Sequence, residues 1–362
     1  MTPNQREPSL RDIAARTGLS VSGVSRALRS DRSIPEATRE KVAQAAAVLG
    51  YRPRPAVAAL MAEIQRQTPP TYRATVAWLR AGDDHSEESY CSRIRRGAMR
   101  RAEALGYAIE VFSLVDLSRR RLNHVLKARG IEGLLLAPLP RRRHHLNMDW
   151  NDFAAVAIGN SLWRPPLPRV VNHQYHSVQK ALREMRRSGY RRIALCLNRE
   201  NSARTDHNWL AGALVHRHLL GLDIDVMLLG DWERSSDAIV RRLRQTGAEA
   251  VLSPHEAFLD FLRRMDLRIP EEMGFVCLDL IDSTDCAGVD QNHELVGAAA
   301  VDVLVGQLLR RQTAATTVPM AALVEGCWRT GRTLPPRVHA EHDPLRGRSQ
   351  RTGSKRSAKS TD

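Results

Sequence analysis

The sequence predicts a small all-α unit followed by a larger α/β unit of doubly wound parallel sheet, and three observations carry that prediction. Residues from about Ser9 to Leu60 read as short capped helices. The segment from Gln65 to Tyr72, with Thr68, Pro69, Pro70 and Thr71, reads as a linker. From Thr75 onward, short apolar runs alternate with amphipathic stretches, the pattern of parallel strands joined by crossover helices that cover both faces of a sheet.

In the first unit, Ser9 with Asp12 three positions later makes a capping-box-like start. Ile13 and Ala14 form the apolar face of a first helix, Thr17 and Gly18 are expected to break it, and Ser20 is expected to cap a second helix whose inward residues are Val24 and Leu28. Two short helices around a glycine turn follow the helix-turn-helix plan. A third helix accepts Pro35 in its first turn, turns Val42, Ala46 and Leu49 inward, and stops at Gly50.

In the second unit the strand candidates are Thr75 to Leu79, Ile109 to Leu114, Gly133 to Ala137, Ala154 to Ile158, Ile193 to Leu197, Val226 to Leu229, Ala250 to Leu252 and Phe275 to Leu278. Arg95 to Leu105, Gln179 to Arg187, Ala238 to Arg244 and Leu295 to Leu309 carry apolar residues at helical spacing with arginines outward. The end of the chain, His339 to Asp362, is basic and almost without large apolar residues, so it is expected to be disordered.

Composition narrows the function classes. The chain has 362 residues, 43% of them hydrophobic, enough to bury a sizeable core, and its formal charge of +15 makes a polyanion a plausible partner. Its five cysteines, Cys91, Cys196, Cys277, Cys286 and Cys327, contain no C-x-x-C pair, which fits neither a disulfide framework nor a zinc site and suits a reducing compartment. No run of about 18 apolar residues and no secretory leader is seen, so a soluble, cytoplasmic protein is expected. The pairs His144 with His145 and His216 with His218 lack a third ligand at helical spacing, phosphate-binding loops and a G-x-S-x-G elbow are absent, and Asp83, Asp84 and His85 have no apparent nucleophile nearby. No metal, no cofactor and no enzymatic activity are expected.

The headpiece resembles that of the lactose-repressor (LacI) family of regulators. The resemblance is carried by Leu10, Asp12, Ile13, Ala14, Gly18, Leu19 and Ser20, then Val24, Ser25, Arg26, Ala27 and Leu28, then Thr38, Arg39, Lys41 and Val42, and finally Leu49, Gly50, Tyr51 and Pro53, nearly position by position without gaps. It implies that the second helix lies in the major groove of a palindromic operator, with Val21, Ser22 and Arg26 near base edges and Ser9, Ser20, Ser25 and Arg29 near phosphates, and it adds Leu10 to the DNA-binding set. The chemistry agrees: an arginine pairs bidentately with guanine, a serine pairs with either partner and a valine touches a thymine methyl. Gly23 departs from the family, where a hydroxyl is common, and loses one contact. The run from Arg54 to Met61 is similar to the family's hinge helix, which places Ala56 and Val57 in the minor groove and makes Leu60 the wedge that kinks the duplex.

From Thr75 to Thr330 the resemblance continues in pieces, among them Gly97, Arg129 to Gly133, Gly189 to Ile193, Gly212, Asp279, Gln291, Glu294 and Gly297. It implies two doubly wound subdomains like those of periplasmic sugar-binding proteins, crossed by the chain near Asn172, Asp290 and Pro319, with an effector in the cleft. The implied domains are the headpiece over 1–53, hinge helix and linker over 54–72, an effector-binding and dimerisation domain over 73–335 and a basic tail over 336–362. The effector set would be Trp209, His255 and Asp279, and it departs from the family's pattern. Trp209 stands where relatives commonly place an arginine, so a guanidinium clamp is expected to be missing, and Pro254 with His255 replaces an asparagine and aspartate pair. The implied protein is a homodimeric repressor on a palindromic operator, modulated by a small molecule such as a sugar. The lost cleft residues leave open a regulator whose large domain serves only dimerisation.

Overall fold

The computed structural model describes residues 8–28, 34–49, 72–81, 89–140, 145–281 and 283–337, with the side chains of Ser22 and Ser25 excepted. The expectations on Arg29, Gly50, Ala56, Val57, Leu60, the linker at 68–71, Asp83 to His85, His144 and the tail beyond 337 therefore lie outside the described residues. The chain divides into two compact units, Met1–Pro70 and Thr71–Asp362.

The first unit holds α1 (Leu10–Thr17), α2 (Val21–Leu28) and α3 (Glu36–Leu49). The Asp12 carboxylate accepts from the backbone N–H of Ser9 at 2.7 Å and from its hydroxyl at 2.6 Å, which fixes the start of α1. Thr17 does not break this helix. It is the last residue of α1, buried, and its hydroxyl returns to the Ile13 carbonyl at 2.8 Å, as a threonine does when a helix lets it bond one turn back. The stop is Gly18 alone, at a φ of 72°, whose N–H closes on the Ala14 carbonyl. Ser20 Oγ then accepts from the Gly23 N–H at 3.1 Å and caps α2. Ile13, Ala14, Val24, Ala27, Val42, Ala45 and Ala46 form one small core, with Leu10, Leu19, Leu28, Ile34 and Leu49 packed at its rim.

The second unit contains two sheets. The first sheet uses β1 (Ala74–Arg80), β2 (Tyr107–Ser113), β3 (Gly133–Leu136), β4 (Ala154–Ile158), β5 (Arg169–Asn172) and β11 (Ala321–Val324) in the order β11-β5-β4-β3-β1-β2, with every pair parallel. The second uses β6 (Arg192–Asn198), β7 (Asp223–Leu229), β8 (Ala250–Ser253), β9 (Gly274–Leu280), β10 (Ala287–Asp290) and β12 (Cys327–Arg329) in the order β12-β10-β9-β8-β6-β7. Only β12 runs antiparallel. The crossover helices are α4 (Tyr90–Ala104), α5 (Arg119–Ala128), α6 (Gln174–Arg187), α7 (Arg199–Arg204), α8 (Asn208–Leu220), α9 (Ser236–Gln245), α10 (Ala257–Arg264) and α11 (His293–Leu309). Central strands such as β3, β4 and β8 are buried along their whole length, as parallel strands sandwiched between helices must be.

The chain crosses between the two subdomains three times. It passes from β5 into α6 at Asn172–His173 and from β10 into α11 beyond Asp290, as expected. The third crossing is at Glu325–Gly326, between β11 and β12, and not at Pro319. Pro319 precedes β11, which still pairs with β5 of the first sheet from Ala321↔Arg169 to Val324↔Asn172. Side chains lace the crossings together. Asn172 Nδ2 donates to the Gln291 carbonyl at 2.7 Å, and Asn292 Nδ2 donates to the Glu325 carbonyl at 2.7 Å.

Candidate functional site: a cleft at the crossings and the exposed face of the second helix

On the headpiece, α2 turns Val24 and Ala27 into the core and leaves Val21 and Arg26 exposed on the opposite side. Val21 is 42% exposed, so its side chain is open to an outside partner. Gly23 sits beside the cap: a Cβ there would stand 3.2 Å from Ser20 Oγ. The glycine thus leaves room for the hydroxyl that starts the helix. Ser9 and Ser20 sit at the starts of α1 and α2, where free N–H groups and the positive end of the helix dipole gather.

In the large unit a cavity of about 440 Å³ lies at the crossings and takes walls from both subdomains. Tyr90, Ile94, Pro138, Ile158, Asn160 and Ser161 come from the first subdomain; Asn201, Arg204, Trp209, His255, Glu256 and Asp279 come from the second. Asn172, Gln174, Gln291 and His293 lie at the crossings themselves. The three residues singled out from the sequence, Trp209, His255 and Asp279, are therefore brought to one cavity.

Their surroundings differ. Trp209 on α8 is almost wholly buried in the core beneath the second sheet, so only its edge reaches the cavity, and its indole Nε1 has no hydrogen-bond partner. Asp279, near the end of β9, accepts from His293 Nε2 at 2.7 Å. Burial alone would lower the pKa of that imidazole, but the charge of Asp279 and its hydrogen bond outweigh burial and hold it above the ordinary histidine value. His255 shows the reverse: burial and the nearby Arg204 outweigh the attraction of Asp279, so its pKa is lowered and it is neutral at pH 7. Its Nε2 faces Asn201 Nδ2 at 3.0 Å, and Asn201 Oδ1 in turn accepts from Arg204 at 3.1 Å.

The guanidinium that the sequence led us to expect missing is present in the cleft. Arg204, at the end of α7, lines the cavity and lies over the Tyr90 ring at 5.4 Å from its centroid, so it meets the first subdomain from the second. It enters from five positions before Trp209. Only the tertiary fold brings the end of α7 to the cleft, which is why a comparison at position 209 overlooked it. Tyr90, Asn201 and His293 were also not foreseen.

Among the described residues one group brings three metal-binding side chains close together: His173, His176 and Glu325, with donor atoms within 4.8 Å of one another. Those atoms already have partners. His173 Nδ1 accepts the His176 N–H at 3.1 Å as the cap of α6, while Glu325 meets His176 Nδ1 at 2.8 Å and Lys180 Nζ at 2.5 Å. Although burial opposes it, the hydrogen bonds from Lys180 and His176 lower the Glu325 pKa. The group reads as a brace across the third crossing.

Comparison with known proteins agrees with both units. The profile described as bacterial regulatory proteins, lacI family, matches residues 9–54. The chain carries a LacI-family DNA-binding domain. Two further profiles, the periplasmic binding proteins and sugar binding domain of LacI family and the periplasmic binding protein-like domain, match residues 83–251 and 182–327 of the chain. It is a transcriptional regulator with an effector-binding domain, and members of this family are DNA-binding proteins, not enzymes. Among curated sequences none matches. Among solved structures, the complex of the transcriptional regulator CelR with cellobiose is 20% identical, covering 90% of this chain and 99% of that one at a TM-score of 0.54. The lac repressor dimer bound to operator and the anti-inducer ONPF is 18% identical, covering 91% and 100% at 0.53. A LacI family regulator from Enterococcus faecium with bound ribose is 14% identical, covering 72% and 99% at 0.56. At these identities the likeness establishes the fold. No helix among the described residues is long and apolar enough to cross a membrane.

Proposed function

We propose that this LacI-family regulator is a cytoplasmic repressor that binds a palindromic operator as a homodimer and responds to a small molecule held in the cleft. The observation that carries the effector half is the cavity of about 440 Å³ at three crossings, a volume in the range of small-molecule sites, in which a few charged and polar side chains converge. Arg204, which faces that space with no carboxylate partner among the described residues, favours a ligand over a domain that serves only dimerisation. Closure around a ligand would bend the chain at the three crossings and so couple effector affinity to operator affinity reciprocally.

For DNA, base contacts fall to Val21, Ser22 and Arg26, positioning contacts to Ser9, Ser20, Ser25 and Arg29, and minor-groove contacts to Ala56, Val57 and Leu60, with Leu10 also in the DNA-binding set. Effector contacts fall to Trp209, His255 and Asp279. The domains follow the same division: headpiece over 1–53, hinge helix and linker over 54–72, effector and dimerisation domain over 73–335 and basic tail over 336–362. A single headpiece covers too few base pairs for useful specificity, so two must act together.

The test is selection of bound duplexes from a random pool by the purified protein, read by sequencing. An enriched inverted repeat with a central CG step is expected. Salt-sensitive binding with no enriched motif would refute operator recognition.

A further inference from the structure

The charged groups that line the cleft are not equally engaged. Asp279 is bonded to His293 at 2.7 Å. Glu256 Oε1 accepts the backbone N–H groups of Ile281 at 3.0 Å and Ser283 at 3.4 Å. Arg204 differs from both: among the described residues no carboxylate pairs with it, and one of its five N–H donors is used, on Asn201 Oδ1. Its face is spent on Tyr90 and its edge is not.

The neighbours of Arg204 hold it in that state. Asn201 is turned by two bonds at once, since its Oδ1 accepts from Arg204 and its Nδ2 lies 3.0 Å from His255 Nε2. With Oδ1 as acceptor, Nδ2 is the donor, so His255 Nε2 accepts and the imidazole proton resides on Nδ1. The result is a wall that offers a guanidinium edge beside an imidazole N–H, and among the described residues no carboxylate pairs with that guanidinium. A guanidinium so placed in a partly desolvated cleft is best satisfied by a forked oxyanion.

We infer that the effector of this chain carries an oxyanion, a carboxylate or a phosphate on a polyol or sugar body, and that Arg204 is the residue that selects it. This rests on the effector reading above and narrows it to a charge class. The body of the ligand would meet the neutral polar groups opposite, Asn160, Ser161 and Asn172, which offer hydrogen bonds without charge. Arg204 takes the clamping role from a different helix than the position where Trp209 stands, and Trp209 becomes an apolar floor.

The test is binding of matched sets to the full-length protein by thermal shift and titration calorimetry. Each set holds a neutral sugar, its acid and its phosphate: glucose with gluconate, glucuronate and glucose 6-phosphate; ribose with ribonate and ribose 5-phosphate; galactose with galacturonate and galactose 1-phosphate. The expected result is that binders fall in the acid or the phosphate arm, which also identifies the source of the oxyanion. Arg204→Gln should weaken them roughly ten- to a hundredfold, while the circular dichroism of the unliganded protein shows it still folded. Arg204→Lys, which keeps the charge but not the fork, should fall between. Neutral sugars binding equally well to the parent and to Arg204→Gln would overturn the oxyanion and leave the effector reading intact. Binding of no member in any arm would overturn both, while operator selection remains a separate measurement.

Discussion

Arg26 is a surface arginine on a helix whose other face is the headpiece core, and its proposed role is discrimination at one base pair. Arg26→Ala should therefore flatten the preference at a single position of each half-site, by about 1 to 3 kcal/mol, without shifting the others. A selection experiment on the variant that returns an unchanged motif would show that the second helix docks differently. The Asp279–His293 pair makes a second prediction at this scale. The imidazole pKa is raised in the folded chain, so the pair stabilises fully below the ordinary histidine value and its contribution is lost as pH rises through the raised one. Asp279→Asn should lower the melting temperature most near about pH 5.5 and least near about pH 9. A difference that grows with pH would contradict the pairing. His255, whose pKa burial lowers and Asp279 partly restores, loses that support in the same variant, which acts in the same direction at acid pH.

Between elements, the tightest approach is α4 against α11, where Gly97 faces the Glu294 carbonyl and Gly297 faces the carbonyl of Ile94, and a Cβ at either position would collide with backbone. Backbone cannot rotate away as a side chain can, so Gly297→Ala should destabilise the large unit by roughly 1 to 3 kcal/mol or more. Calorimetry on the variant checks it, and a cost near zero would mean that the two helices slide apart freely. The hinge helix supplies the other prediction at this scale. If Leu60 wedges the central base step, Leu60→Ala should reduce operator bending and affinity while the circular dichroism of the unbound protein stays the same. Equal bending by the variant would remove the wedge from the proposal.

For the molecule as a whole, the proposal requires two headpieces on one operator. The full chain should elute as a dimer, and its selected half-sites should be related by a two-fold axis. A tetramer on sizing, or a motif without two-fold symmetry, would contradict it. The laced crossings matter at the same scale, because closure must move one subdomain against the other while Asn172, Asn292 and the Glu325 brace keep the three connections together.

The sequence by itself determined the elements whose residues interact locally. The Ser9–Asp12 start, the Gly18 stop, the Ser20 cap and the inward positions Ile13, Val24 and Val42 are all properties of neighbours three or four residues apart, and so is the alternation of buried strands with amphipathic helices. Thr17 was misread because a threonine that bonds back to its own helix has the same letter as one that ends it. What only the tertiary structure decided depends on groups far apart in the chain. The strands β5, β10, β11 and β12 span only three or four residues each and are defined by their partners, so the third crossing lay at Glu325–Gly326 and not at Pro319. The cleft is the clearest case. Position 209 showed that an arginine was absent there, but only the packing of α7 against the first subdomain brought Arg204 over Tyr90, because a binding site is a meeting of distant segments and its charge balance is fixed by which of them arrive.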